Sequence, residues 1–125
     1  MLNECLKKHK PMKVIATQKF YRMSPKKLRI VADVAKKLTP LKALDVLPFI
    51  DKHASSPLIK VIKTAIGNAK VRNLSAGGLE FSEIQIGEGP RLKRGRPVSR
   101  GRWHPFKRRT SHIRVILEAK NGTKN

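Results

Sequence analysis

The sequence predicts an α+β chain, and three observations predict it. A run rich in β-branched and aromatic residues, MKVIATQKFY at 12–21, reads as a strand. Apolar residues recur at three- and four-residue spacing from the mid-twenties to about Asn73, the period of helices. Two further strand-like runs, 79–87 and 109–119, then flank a segment too basic and too poor in apolar residues to build a core. At 125 residues the chain is long enough for one domain with a modest core.

Ser24-Pro25 supplies a helix start, a capping serine followed by proline at the first helical position. Leu28, Val31, Ala35 and Leu38 then fall on one face, while Lys26, Lys27, Arg29, Lys36 and Lys37 share the rest, and the helix should stop by Leu38. Thr39-Pro40 repeats the signal. Leu41, Leu44 and Leu47 predict a short second helix, ended or kinked by Pro48. A longer third helix is expected from the mid-fifties to about Asn73, with Leu58, Val61, Ile62, Ala65, Ile66 and Ala69 as the central apolar stripe. Pro57 lies either just after its start near Ser56 or within its first turns. Gly77-Gly78 makes a turn. In the run 79–87, Leu79 and Phe81 are out of phase with Ile84 and Ile86, which predicts a bulge or bend near Ser82. In the last strand Ile113, Val115 and Leu117 face inward.

The segment between those strands carries the functional signal. No acidic residue occurs from Gly89 through Leu117, and 91–109, RLKRGRPVSRGRWHPFKRR, holds nine Lys or Arg in nineteen positions. Its apolar members Leu92, Val98, Trp103 and Phe106 are scattered. Flanked by strands, it is either a long hairpin arm or a disordered loop. Charge repulsion in isolation favours disorder; phosphate favours an ordered arm. Arg91, Lys93, Arg94, Arg96, Arg100, Arg102, Lys107, Arg108 and Arg109 are the candidate phosphate ligands, because guanidinium groups bind phosphate bidentately and stack on bases. Trp103 either stacks on an unpaired base or packs across the hairpin. A second cationic patch, Arg22, Lys26, Lys27 and Arg29, gathers at the first helix N-terminus, where the backbone N–H groups already favour an anion.

The formal charge of +21, from 29 Lys+Arg against 8 Asp+Glu, calls for a polyanionic partner, and nucleic acid is the leading one. A single cysteine, Cys5, excludes an internal disulfide and fits a reducing compartment. No apolar run approaches the ~18 residues of a membrane span, and the N-terminus has no apolar stretch of a secretory signal. Residues 1–12 read as a flexible basic leader and 120–125 as a flexible tail around a single domain, 13–119. No catalytic group emerges. His9, His53, His104 and His112 lack metal spacing, and the carboxylates are dispersed. Ser111 and His112 are adjacent in a strand and point to opposite faces, which leaves His112 as a hydrogen-bonding or RNA-facing residue. No enzyme activity, metal or cofactor is expected.

MSPKKLRIVAD (23–33), AIGNAKVRN (65–73), EGPRLKR (88–94), RGR (100–102) and KRRTSHIRVIL (107–117) stand in the order and at the spacing of a known family. Across about residues 13–119 the chain resembles bacterial-type large-subunit ribosomal protein twenty-two, a universal tunnel-lining family. The resemblance implies three helices packed on a small antiparallel β-sheet, with a long protruding β-hairpin arm over about 88–109. It also implies binding to large-subunit ribosomal RNA, support of subunit assembly, and contact with neighbouring large-subunit proteins. The arm's end would line the nascent-polypeptide exit tunnel: Leu92, Lys93 and Arg94, where the family's macrolide-linked changes fall, then Gly95, Arg96, Pro97, Val98, Ser99, Arg100, Gly101 and Arg102 at the tip. No membrane and no homo-oligomer are implied, and the site of action would be the cytoplasmic ribosome, with an organellar ribosome left open. Lys36-Lys37-Leu38-Thr39 replaces the family's usual Gly-Lys, and Trp103-His104-Pro105 is bulkier than the residues usual there. The rival classes are a free nucleoid or regulatory DNA-binding protein, which should carry a dimerisation or helix-turn-helix signal absent here, and a basic RNA-processing enzyme, which lacks its catalytic group.

Overall fold

Two Pro-initiated helices and a third, longer one are laid against one face of a three-stranded sheet. The computed structural model describes residues 12–119; the expected leader except Met12, the tail 120–125, and with them Cys5 and His9, lie outside the described residues. The elements run β1 (Lys13–Tyr21), α1 (Pro25–Lys36), α2 (Pro40–Val46), α3 (Ser55–Val71), β2 (Leu79–Pro97) and β3 (Trp103–Ala119), with short 3₁₀ turns at Leu47–Phe49, Ala76–Gly78 and Ser99–Gly101. The sheet is antiparallel in the order β1-β3-β2, so β3 is the central strand.

Alternation along the strands sends Val14 and Ala16 of β1, Leu79 and Ile84 of β2, and Ile113, Val115 and Leu117 of β3 into the core. There they meet Leu28, Val31 and Ala35 of α1 and the whole expected stripe of α3, from Leu58 to Ala69. The phase break in β2 is resolved as expected: the register slips between Phe81 and Glu83, leaving Ser82 as the extra residue. Ser82 Oγ donates to Glu118 Oε1 at 2.8 Å, and Lys13 Nζ lies 2.8 Å from the same carboxylate. The Lys13 ammonium first and the Ser82 hydroxyl second hold the Glu118 carboxyl below its ordinary pKa.

Three local expectations are refined. Pro57 is the third residue of α3, where its missing N–H falls among the groups a helix leaves unpaired. Ser24 and Thr39 stand at the two cap positions with extended backbones, but neither side chain bonds the helix N–H groups, and proline fixes each start instead. In α2 Pro40 and Ala43 are buried and Leu44 packs against the core, with Leu47 buried just beyond the helix; Leu41 is exposed. Seven residues make too short a helix for spacing alone to fix which side meets the core.

β3 divides in function at Thr110 and Ser111. Its C-terminal half is core, whereas residues 103–109 and their partners 91–97 leave the body as a paired ribbon. Leu117→Ala should therefore lower the unfolding free energy by about 2–5 kcal/mol. Leu92→Ala, in the ribbon, should change it by less than about 0.5 kcal/mol. Urea denaturation of the two variants checks the contrast.

Candidate nucleic-acid interface

The basic segment is a hairpin. Seven cross-strand pairs, from Arg91↔Arg109 to Pro97↔Trp103, join β2 to β3 beyond the body. At about 3.4 Å per residue they extend the tip roughly 24 Å from its base. The base is set by a second bulge: Gly89 and Pro90 together oppose Thr110, whose Oγ1 donates to the Pro90 carbonyl at 2.7 Å. A side chain at Gly89 would start 2.4 Å from that Thr110 oxygen, so only glycine lets the strands close there. Next to it Ser111, fully buried, donates from Oγ to the Met23 carbonyl and ties the ribbon's root to the segment entering α1. At the tip Val98 N–H donates to the Arg102 carbonyl at 2.8 Å, with Arg100 and Gly101 both at positive φ, 59° and 68°.

Strand alternation distributes the cations over both faces of the ribbon. Arg91, Lys93, Lys107 and Arg109 share one face, and Arg94, Arg96 and Arg108 the other, with Arg100 and Arg102 at the tip. Two of the pairs, Arg91↔Arg109 and Lys93↔Lys107, set like charges directly opposite each other, an arrangement that destabilises an isolated hairpin. One nearby acid offsets this: Glu88 Oε2 lies 3.1 Å from Arg91 Nη2 in an exposed, weak pair.

The aromatic residues answer the question left by spacing. An ideal Cβ on Gly95 would fall 2.0 Å from the Trp103 indole, so the indole lies over Gly95 across the hairpin. Yet Trp103 remains 66% exposed, so it both packs across the hairpin and offers ring surface to the outside. Phe106 is half-buried on the other face, with the guanidinium carbons of Arg96 and Arg108 at 5.8 and 5.9 Å from its ring centre.

The four cations around the first helix N-terminus have different surroundings. Arg22 joins the arm, lining a cleft of about 440 Å³ with Leu92, Arg94, Phe106, Arg108 and Thr110. Lys26 and Lys27 stay exposed on α1. Arg29 donates from Nη2 to the Ile86 carbonyl at 3.3 Å, covering part of the edge of β2. His112 is half-buried on the open face of the sheet, where its Nδ1 accepts the backbone N–H of Phe20 at 3.1 Å. Lys19 and Arg114 lie beside it and were not singled out by the sequence. Arg114 could have been found, since it alternates with the inward Ile113 and Val115; the place of Lys19 follows from an irregularity in β1 that no pattern announces. Among the described residues no group of three His, Cys, Asp or Glu side chains could hold a metal.

A body of three helices on three strands, with a cationic hairpin, is matched over residues 16–118 by the family model described as ribosomal protein L22p/L17e. The chain belongs to that family. Its relatives include the large ribosomal subunit protein uL22 of Desulfatibacillum aliphaticivorans, 39% identical over 107 residues, which cover 86% of this chain and 99% of that one. The uL22 of Clostridium novyi (strain NT) is 34% identical over 86% of this chain and 97% of its own length. That of Metamycoplasma arthritidis (strain 158L3-1) is 43% identical over 79% of this chain, but the match spans 48% of that longer protein. The L22p/L17e match takes in the body and the arm alike, from within β1 to near the end of β3.

Gly95→Val should push the indole off its seat. Trp103 is the single tryptophan, so its emission should move to longer wavelength and its anisotropy fall while the thermal midpoint stays put. Unchanged emission would mean that the indole does not rest on residue 95.

Proposed function

We propose that this chain is a structural constituent of the large ribosomal subunit, binding large-subunit ribosomal RNA, supporting subunit assembly, and lining the nascent-polypeptide exit tunnel with its arm tip. It is a non-catalytic RNA-binding protein, as membership of the L22p/L17e family implies. The observation that carries the mechanism is the presence of cations on both faces of the ribbon and at its tip. A protein lying on a single duplex would need charge on one side. A ribbon charged all round suits insertion between RNA segments, with phosphates on one side relieving the opposed pairs Arg91↔Arg109 and Lys93↔Lys107 and phosphates on the other meeting Arg94, Arg96 and Arg108.

In this reading residues 13–119 form one RNA-binding domain whose body anchors the arm. Arg91, Lys93, Arg94, Arg96, Arg100, Arg102, Lys107, Arg108 and Arg109 neutralise phosphate, and the exposed face of Trp103 is available for stacking. Arg22 extends the arm's cleft, Lys26 and Lys27 contact RNA beside α1, and Arg29 and His112 contribute while holding the Ile86 carbonyl and the Phe20 N–H. The tip lining the tunnel is Leu92–Arg102, where the nascent polypeptide passes. Neighbouring large-subunit proteins are the remaining partners, and the place of work is the cytoplasmic ribosome. No helix among the described residues is long and apolar enough to cross a membrane.

If all nine arm cations meet phosphates, binding to large-subunit RNA should weaken with salt at a log–log slope of roughly −6 to −8. Replacing residues 90–108 by a short turn should leave the body folded, reduce the slope by most of that value, and weaken binding at low salt. Equal affinity and slope for the two chains would overturn the proposal.

A further inference from the structure

The pairing of β1 with β3 slips between Gln18 and Tyr21, and Phe20 at the slip has φ 55, a conformation that bulky L residues rarely adopt. The strain does not bring the ring into the core: Phe20 is 60% exposed. Its conformation is held by the His112 Nδ1 acceptor, and the two rings meet edge to face, centroids 4.8 Å apart at 80°. A backbone strained to turn an aromatic ring outward marks a site where the outside matters. Beside the ring lies a groove of about 440 Å³, within the roughly 300–1,000 Å³ of ordinary ligand clefts. Phe20 and His112 give it aromatic surface, Gln85 an amide, and Lys19 and Arg114 two cations, with no carboxylate among its lining residues; Ile86 turns its side chain to the core and only borders the groove.

We propose that this groove holds one unpaired nucleotide of the RNA: the base stacks on Phe20, Gln85 is the hydrogen-bonding group for its edge, and Lys19 and Arg114 attract the flanking phosphates. The proposal rests on the RNA-binding reading above and adds a base contact to its phosphate contacts. Charge complementarity selects the occupant, since two cations without an acid suit a nucleotide better than a peptide. Position supports it as well. Phe106, Arg108, Thr110, His112 and Arg114 alternate along β3 and share one face, so the groove continues the cleft at the arm's base. An RNA strand following the arm's cations would run onto it.

The test uses the full chain and a large-subunit ribosomal RNA transcript, with Phe20→Ala and Phe20→Trp titrated at several salt concentrations. Phe20→Ala should bind roughly 5- to 150-fold more weakly at every salt, the range for loss of one stacked base, with the salt slope unchanged. Phe20→Trp should bind like the parent. If Phe20→Ala binds as the parent does while the parent binds tightly with a steep slope, the groove proposal falls and the arm reading stands. If the parent itself does not bind, both fall. A benzophenone-bearing phenylalanine analogue at position 20 of assembled subunits gives a second readout that does not depend on the alanine variant folding. Crosslinks to RNA support the site, and crosslinks to protein alone overturn it.

Discussion

One strand carries the two halves of this molecule. β3 runs for 17 residues without a break; its C-terminal half supplies Ile113, Val115 and Leu117 to the core, and its N-terminal half, 103–109, supplies three of the arm's nine cations, Lys107, Arg108 and Arg109, and no buried side chain. The arm therefore has almost no core of its own. Its position depends on being an extension of a strand whose other end is fixed by the helices, and its order depends on backbone pairing that must withstand opposed like charges at Arg91↔Arg109 and Lys93↔Lys107. The apolar energy of the body and the electrostatics of the arm meet at Thr110 and Ser111, the first buried residues along β3.

The side chains that shape the arm are consistent with that division. Thr110 bonded to the Pro90 carbonyl and Ser111 bonded to the Met23 carbonyl set the ribbon's root. Further out, the ring contacts are local: Trp103 on Gly95, and Phe106 between Arg96 and Arg108. These fix local geometry without neutralising charge. What would complete the structure is a polyanion on both sides, which is the setting proposed above for the arm.

Much of this was legible in the residues. The helical stripe of α3 and the inward trio of β3 follow directly from period, and the phase break in 79–87 announces the bulge at Ser82. The motifs from MSPKKLRIVAD to KRRTSHIRVIL carried the family resemblance. Other features depend on tertiary context. The inward side of α2 was legible only in part: of Leu41, Leu44 and Leu47 the last two meet the core, while Leu41 is exposed and Ala43 takes the buried place, since seven residues give barely two turns. Hairpin and disordered loop share one composition, and pairing decides between them. The seating of Trp103 depends on a diagonal cross-strand neighbour, Gly95, fixed only once the register is known. Phe20 read as an ordinary strand residue, because a slip in β1 and a bond to His112, 92 positions away, leave no periodic trace.

The central claim is that the body holds the arm's place while polyphosphate secures its order. Amide hydrogen exchange along β2 and β3, measured for the free chain and for the chain bound to large-subunit ribosomal RNA, addresses it most directly. The account predicts that free arm amides at 91–97 and 103–109 exchange far faster than those at 113–117, and become strongly protected on binding. Arm amides as protected in the free chain as in the complex would contradict it.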